Sequence, residues 1–253
     1  MTNFDRKVFF DAVRASLFSG SLTQQQVEGM EAILGEWEVQ PWDQPMTDIR
    51  WLAYMLATTK HETASTMWPI EEYGKGSGQP YGVADPQTGQ TYYGRGYVQL
   101  TWRDNYSNAT RKLGLKGDAD LEWHAAMALE PQIAADVMFR GMAEGWFRPP
   151  NTLAKYFNDT TDDAYGAREI INGDKKLVPS WSSGVSIGNL IKGYHQKFLA
   201  ALSAAEIEDV EPVPEPEPVP EPGFDVVFVN IQSPPGVSVS VVVNGEIIVA
   251  GPG

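Results

Sequence analysis

The chain has 253 residues, of which 42% are hydrophobic and 21% are charged, and it contains no cysteine. This length allows one sizeable domain with a small appendage, and the apolar fraction suffices for a buried core. The lack of cysteine excludes a disulfide framework. The formal net charge is -14, but residues 206–253 hold nine acidic and no basic side chains, so residues 1–205 carry only about -5. Because no basic stripe could neutralise phosphates, the composition argues against a nucleic-acid partner.

The sequence contains neither a recognisable signal peptide nor a recognisable membrane-spanning segment. Residues 1–7 lack the apolar run and the small-residue cleavage site of a signal peptide. The longest apolar stretch, near residues 51–57, is too short to span a bilayer. The sequence therefore predicts a protein made in the cytoplasm, without stable membrane insertion.

Apolar residues recur at helical spacing through the first part of the chain. The pattern predicts two helices within residues 4–40, separated at Gly20, and Thr23 is suited to cap the second. A third helix is expected from about residue 48 to residue 66, with Pro69 as its stop.

The next segment changes character and then returns to helix. Residues 70–95 are rich in Gly, Pro, Gln, Ser and Tyr, which predicts a long irregular segment with a short hairpin, and such segments are often functional. Beyond about residue 103 the pattern is helical again. Further helices are expected near 123–145, 151–158, 163–172 and 186–204, with breaks at 114–117, 149–150 and Pro179.

The composition changes sharply at residue 206. Residues 206–222 form an acidic, proline-rich linker, which favours an extended and semi-rigid spacer. Residues 223–253 are predicted to form a small β module, with strands at 225–231, 237–243 and 246–250 and a tight turn at Asn244-Gly245. So short a module buries little core alone, so oligomerisation, attachment to a particle or wall binding is expected of it.

Glu62 is the first candidate for chemistry. It falls in phase with Met55, Thr58 and Thr59 on the inward face of the third helix, near the end of that helix. A carboxyl partly removed from water favours its protonated form, which a general acid needs at neutral pH. The alternative is an ordinary exposed glutamate in the last turn.

A second carboxylate follows in the irregular segment. Glu71 and Glu72 lie nine and ten residues after Glu62, past the break at Pro69. Glycoside hydrolysis needs two carboxyl groups, one on each side of the scissile bond. Aromatic side chains, whose flat faces suit sugar rings, crowd the same segment, although many such residues are simply core: Trp68, Tyr73, Tyr81, Tyr92, Tyr93, Tyr97 and Trp102.

Two sequence blocks together resemble glycoside hydrolase family 19, which includes plant-type chitinases and many bacteriophage endolysins. The first block is His61-Glu62-Thr63 and the second is residues 92–101, Tyr-Tyr-Gly-Arg-Gly-Tyr-Val-Gln-Leu-Thr. The similarity covers about residues 20–204. It implies a mainly α, lysozyme-like helical domain with two lobes and a central cleft.

The resemblance also implies roles for individual residues. Glu62 matches the proton donor, and Thr101 matches a hydroxyl that helps to hold the attacking water. The remaining matched residues line or shape the sugar cleft: His61, Tyr93, Arg95, Gln99, Asn105 and Asn172. No metal or cofactor is expected, and the position where a zinc-protease motif would place its second histidine is Ser65.

The second catalytic carboxylate is Glu72 or Glu71, and Glu72 is preferred because Glu-Tyr-Gly resembles the phage and bacterial pattern. The mechanism implied by the family is a single displacement with inversion. In that mechanism the two carboxyl groups stand about 6.5–9.5 Å apart, with the attacking water between them.

The sequence thus predicts a catalytic domain in residues 1–205 that cleaves β-1,4 bonds in the glycan strands of peptidoglycan, in the manner of an endolysin. The protein would be made in a bacterial host cytoplasm and act on the cell wall after release. One alternative is a chitinase acting on N-acetylglucosamine polymers. The other is a non-catalytic glycan-binding or phage structural protein.

Overall fold

The computed structural model describes residues 3–40 and 45–207, together with the backbone of 240–243 and 246–249. The chain divides into two units, Met1–Asp209 and Val210–Gly253. The predicted strand at 225–231 and most of the predicted linker lie outside the described residues.

The first two helices follow their sequence signals. Helix α1 covers Arg6–Leu17 and begins at Asp5, whose carboxylate accepts the Val8 N–H at 3.0 Å. Helix α2 covers Gln24–Val39, and Thr23 caps it through a reciprocal capping box with Gln26, as the sequence predicted. The ends of the unit are joined where strand β1 (Asn3–Phe4) pairs antiparallel with strand β6 (Glu206–Ile207), so two residues predicted to begin the linker belong to a strand.

Helix α3 covers Ile49–Glu62 and is buried from Leu52 to Lys60. It packs against the last helix, α7, which covers Ile187–Ala205. The prediction that α3 continues to residue 66 is wrong. The chain turns at Thr63, because Ala64 and Ser65 take φ values of 49° and 68°, outside the helical region.

The segment after α3 is enclosed by one antiparallel strand pair, a hairpin with a long loop rather than the short hairpin predicted. Strand β2 (Ile70–Glu71) pairs antiparallel with strand β3 (Arg95–Gly96), which places Glu71 opposite Arg95. The chain between them is irregular apart from a 3-10 turn at Pro80–Gly82.

The remaining helices are shorter than the sequence pattern suggests. Helix α4 covers Arg103–Leu113 and ends at Gly114, whose left-handed φ of 67° favours glycine. The helix predicted at 123–145 is a 3-10 turn, Ala125–Leu129, followed by helix α5, Pro131–Glu144. Pro131 explains the division, because proline suits the first turn of a helix and disrupts an interior.

Two further helix predictions are wrong in extent or type. Near 151–158 only one turn, helix α6 (Leu153–Tyr156), is helical, and strand β4 (Phe157–Asn158) then pairs with strand β5 (Thr161–Asp162). The helix expected at 163–172 is a 3-10 turn, Gly166–Ile170. The predicted mainly α class is nevertheless confirmed for this unit, with a core of buried aromatic and aliphatic side chains that includes Trp37, Tyr54, Tyr97, Phe139 and Phe198.

Two ionisable sites lie inside this core. Glu36 of α2 accepts a hydrogen bond from Gln132 and faces Asp136 of α5, and burial followed by the charge of Asp136 raises the pKa of Glu36 to about 7. Lys60 of α3 donates to the Ser65 hydroxyl at 2.9 Å and lies 4.2 Å from the centre of the Phe18 ring. Burial lowers the pKa of Lys60 to about 8. Each site makes stability depend on pH.

In the second unit, strand β7 (Ser240–Val243) pairs antiparallel with strand β8 (Glu246–Val249). The register places Val243 opposite Glu246. The predicted turn at Asn244-Gly245 lies outside the described residues. Across the described part of both units, none of the helices has the length and apolarity to cross a bilayer.

Candidate active site

Glu62 is the last residue of α3, and its carboxylate is held by a buried arginine. The Arg168 guanidinium donates through Nη1 to Glu62 Oε1 and through Nε and Nη2 to the two oxygens of Asp174, at 2.6 and 3.0 Å. The Arg168 side chain is 2% exposed and that of Glu62 is 14% exposed. The forked pairing with Asp174 fixes the Arg168 guanidinium, which holds the Glu62 carboxylate through its remaining donor.

Arg168 remains charged despite its burial. Burial lowers the pKa of Arg168, but the charges and hydrogen bonds of Glu62 and Asp174 outweigh it, and the net pKa is raised. Arg168 occupies Oε1 of Glu62, and in the described part of the chain no donor pairs with Oε2. One carboxyl oxygen of Glu62 is therefore oriented by the protein, while the other makes no hydrogen bond within the described residues.

Glu71 lies in strand β2 and is held by three partners. Its Oε1 accepts the Tyr93 hydroxyl at 2.5 Å and lies 3.6 Å from Arg95 Nε, and its Oε2 pairs with Lys75 Nζ at 2.7 Å. The Lys75 hydrogen bond, then that of Tyr93, lowers the pKa of Glu71, although the side chain is 31% exposed. Glu71 therefore stays ionised into acidic solution.

Glu72 has a different environment from its neighbour. Its backbone N–H donates to the Gly94 carbonyl at 2.7 Å, and its Oε2 accepts the Gly94 N–H at 3.2 Å. Tyr81 also contacts it, and burial followed by the Glu72 charge raises the pKa of that phenol. Tyr81 packs edge-on against Trp102, 4.9 Å between ring centres, and Trp102 is 49% exposed. Glu72 thus lies beside an accessible aromatic pair.

Tyr93 and Arg95 form a support beneath Glu71. The Arg95 guanidinium lies 3.8 Å from the centre of the Tyr93 ring and donates to the Thr91 carbonyl at 2.8 Å and to the Tyr106 hydroxyl at 3.1 Å. The Tyr106 hydroxyl in turn donates to the Tyr93 carbonyl at 2.7 Å. Because Arg95 is buried and its Nη1 and Nη2 groups donate to protein groups, it can position Tyr93 and Glu71 rather than bind a large ligand itself.

Gln99, Thr101 and Asn105 connect the hairpin to α4. Gln99 Nε2 donates to the Ile70 carbonyl at 3.1 Å, and Thr101 Oγ1 donates to the Gln99 carbonyl at 2.8 Å. Asn105 Nδ2 donates to the Thr101 carbonyl at 2.7 Å. A Cβ at Gly94 would come within 2.7 Å of Gln99 Oε1, so a side chain there would displace the Gln99 amide from its present position. The three predicted residues therefore form one connected chain of hydrogen bonds.

His61 and Asn172 lie near the two ends of the Glu62–Arg168 pair. His61 precedes Glu62 on α3, and burial lowers the pKa of its imidazole, so the ring is neutral at neutral pH. Its ring centre is 6.5 Å from that of Trp181. Asn172 is exposed, and its backbone N–H donates to the Arg168 carbonyl at 3.0 Å. His61 is thus the sequence neighbour of Glu62, and Asn172 is hydrogen-bonded to the backbone of Arg168.

Sequence reasoning missed the residues that hold Glu62 in place, Arg168 and Asp174. A signal was present, because Arg168 lies between the apolar residues Ala167 and Ile170, and a buried arginine needs an anionic partner. The aromatic residues of the irregular segment fall into two groups: Tyr92 and Tyr97 are core, while Tyr73 and Trp102 are exposed. Among residues 3–40 and 45–207, no cluster of three or more His, Asp or Glu side chains could hold a metal ion.

Comparison with known proteins gives partial matches. No family model matches the chain. Two endochitinases of Arabidopsis thaliana are 40% identical over 86 residues and 42% identical over 67 residues, covering 34% and 26% of this chain. The chain spans only 29% and 24% of the length of these relatives. They confirm, over that stretch, the resemblance to chitinases predicted from the motifs.

Solved structures with a detectable likeness include two chitinases. Chitinase C from Streptomyces griseus is 20% identical, with a TM-score of 0.45, over 79% of this chain and 92% of that one. A family 19, class IV chitinase from Zea mays is 21% identical, with a TM-score of 0.48, over 78% of this chain and 94% of that one.

Proposed function

We propose that residues 3–207 form a glycoside hydrolase that cleaves β-1,4 bonds in glycans containing N-acetylglucosamine. The observation that carries this proposal is the arrangement around Glu62. One carboxylate is oriented by the buried Arg168 at the end of α3, and two more, Glu71 and Glu72, lie on the hairpin that follows it. The partial identity to endochitinases over up to 86 residues supports the same reaction class.

Glu62 is proposed as the general acid. It combines limited exposure with one oxygen, Oε2, that accepts no hydrogen bond from the described residues. A proton on that oxygen would pass to the glycosidic oxygen as the bond to the anomeric carbon breaks. Arg168 and Asp174 do not touch the substrate in this scheme, and they act by holding the Glu62 carboxyl in one orientation.

Glu72 is proposed as the general base, and Glu71 is the alternative. Both oxygens of Glu71 already accept from Tyr93 and Lys75, which suits a residue that anchors the hairpin. Glu72 would accept a proton from the attacking water. The Thr101 hydroxyl uses its only proton in donating to the Gln99 carbonyl, so it can serve the water as an acceptor that fixes its direction.

Two substrates contain the bond in question, and different observations favour each. The names of the matching relatives, endochitinases, favour polymers of N-acetylglucosamine. The cysteine-free chain and the Glu-Tyr-Gly sequence after Pro69 favour the glycan strands of peptidoglycan, because they match the phage-type pattern. Inversion at the anomeric carbon is proposed for either substrate, since it follows from a water placed between two carboxyl groups.

The test is hydrolysis of purified peptidoglycan sacculi and of an N-acetylglucosamine hexamer by the full chain, with Glu62→Gln as the paired variant. Product release from either substrate by the wild type, lost in Glu62→Gln, supports the proposal and identifies the substrate. No release from either substrate would contradict it and favour a glycan-binding protein without catalysis.

A further inference from the structure

The loop between the Arg168–Asp174 pair and helix α7 presents an unusual amount of apolar surface. Leu177, Val178 and Trp181 are 56%, 50% and 65% exposed, and all lie within residues 174–186. An exposed apolar cluster of this kind is typical of a site where a ligand or a partner binds. None of these side chains has a role in the proposed reaction.

This loop is a fixed part of the fold, held at both ends and in its middle. Asp174, at its start, is bound to Arg168, and its carbonyl accepts the Leu177 N–H at 2.8 Å. The Leu177 carbonyl then accepts the Ile187 N–H of α7 at 2.9 Å. Trp181 lies in a 3-10 turn, Ser180–Ser182, in which the buried Ser182 hydroxyl donates to the Pro179 carbonyl at 2.7 Å. The indole is therefore exposed on a held turn.

Trp181 is also close to the proposed acid. Its ring centre lies 6.5 Å from that of His61, with an angle of 36° between the ring planes. His61 immediately precedes Glu62, and successive helical residues point about 100° apart, so Trp181 lies to one side of the carboxyl rather than over it. That position suits contact with a neighbouring part of a chain-like substrate.

We infer that Trp181, with His61 beside it, is a stacking platform for one sugar ring of the glycan, next to the ring whose bond is cut. The inference rests on the proposed function. A large flat side chain with few rotatable bonds can cover the apolar face of a pyranose at low entropic cost, and the neutral His61 ring can exchange a hydrogen bond with a sugar hydroxyl or amide. Leu177 and Val178 are further exposed apolar side chains of the same loop.

The experiment measures binding of the N-acetylglucosamine hexamer by calorimetry in a Glu62→Gln background, where hydrolysis does not interfere. Adding Trp181→Ala should weaken binding about tenfold, while Trp181→Phe, which keeps a ring, should remain within about threefold. Trp123→Ala is the matched control, since it removes a comparably exposed indole, 50% exposed, from a residue without a role in the site. Its affinity should equal that of the parent.

The outcomes separate this inference from the proposed function. Equal affinity of Trp181→Ala and parent would overturn the inference, even if the wild type hydrolyses glycan. No measurable binding of the hexamer by the parent would overturn it as well. Trp181-dependent binding by a chain whose wild type shows no hydrolysis would uphold the platform while refuting the enzyme. Thermal unfolding of each variant confirms that the fold is retained.

Discussion

Replacing Arg168 by methionine should destabilise the protein far more than an ordinary loss of an ion pair. Arg168 is 2% exposed and is the shared partner of Glu62 and Asp174, whose side chains are 14% and 20% exposed. Arg168→Met leaves two largely buried carboxylates without their cation, and breaking such a buried pair costs about 3–5 kcal/mol. Arg168→Lys keeps the charge but loses the forked geometry, so we expect an intermediate loss of about 1–2 kcal/mol.

The assay is urea unfolding followed by circular dichroism, and the chain offers a matched control. Arg148 pairs with Glu169 at 2.8 Å, but its side chain is 41% exposed. Arg148→Met should therefore cost less than about 1 kcal/mol. If Arg168→Met and Arg148→Met lower the free energy of unfolding by similar amounts, the claim that Arg168 is the buried support of Glu62 is refuted.

Three further predictions concern other carboxylates and the buried lysine. Because the pKa of Glu36 is raised to about 7, stability should fall as pH rises from about 4.5 to 7. Glu36→Gln should reduce that fall, gaining on the order of 1 kcal/mol over the wild type at pH 8 relative to pH 5 in urea titrations. Part of the fall should remain, because burial also raises the pKa of Asp136. Because the pKa of Lys60 is lowered to about 8, the stability of the wild type should rise between pH 8 and 10.5. If the thermal midpoint of Lys60→Met rises by the same amount over this pH range, the prediction is wrong. Glu72→Gln should reduce kcat about a hundredfold or more and leave the melting temperature unchanged. Glu71→Gln should mainly lower the melting temperature, because Glu71 anchors the hairpin. A large loss of kcat in Glu71→Gln but not in Glu72→Gln would make Glu71 the base.

Local signals in the sequence predicted much of this fold. Thr23 and Gln26 form the capping box that their spacing indicates. Glu62 lies in helix α3 as predicted, but that helix is buried on all sides from Leu52 to Lys60, so burial does not test the inward face predicted for it. The capping box and the helix could be predicted because caps and helical periodicity depend on residues a few positions apart.

The end of α3 could not be predicted in the same way. Ala64 and Ser65 have left-handed φ values that neither residue type favours by itself. Contacts from elsewhere help to hold that turn, including a bond from Gln26 Nε2 to the Ser65 carbonyl at 2.9 Å. A helix that ends at Glu62 is thus a tertiary feature.

The partners of Glu62 could not be predicted from the sequence for a similar reason. Arg168 and Glu62 are 106 positions apart, and the sequence between them contains several other arginines and carboxylates. Pattern and resemblance located the carboxylates and the hairpin that follows, but the pairing depends on how α3 meets the 3-10 turn at Gly166–Ile170. The substrate roles predicted for Asn172, Gln99 and Asn105 stay predictions, as does the role of residues 223–253.

The central claim, that Glu62 is the general acid of a glycoside hydrolase, is tested most directly by the dependence of hydrolysis on the leaving group. Wild type and Glu62→Gln would be compared on an N-acetylglucosamine oligomer and on the same oligomer carrying a 4-nitrophenyl group at the bond to be cut. An acid variant should lose about a hundred- to ten-thousand-fold in kcat on the sugar leaving group, which needs a proton, and far less on nitrophenolate, which does not. An equal loss on both substrates, or no loss on either, would contradict the assignment of Glu62 as the acid.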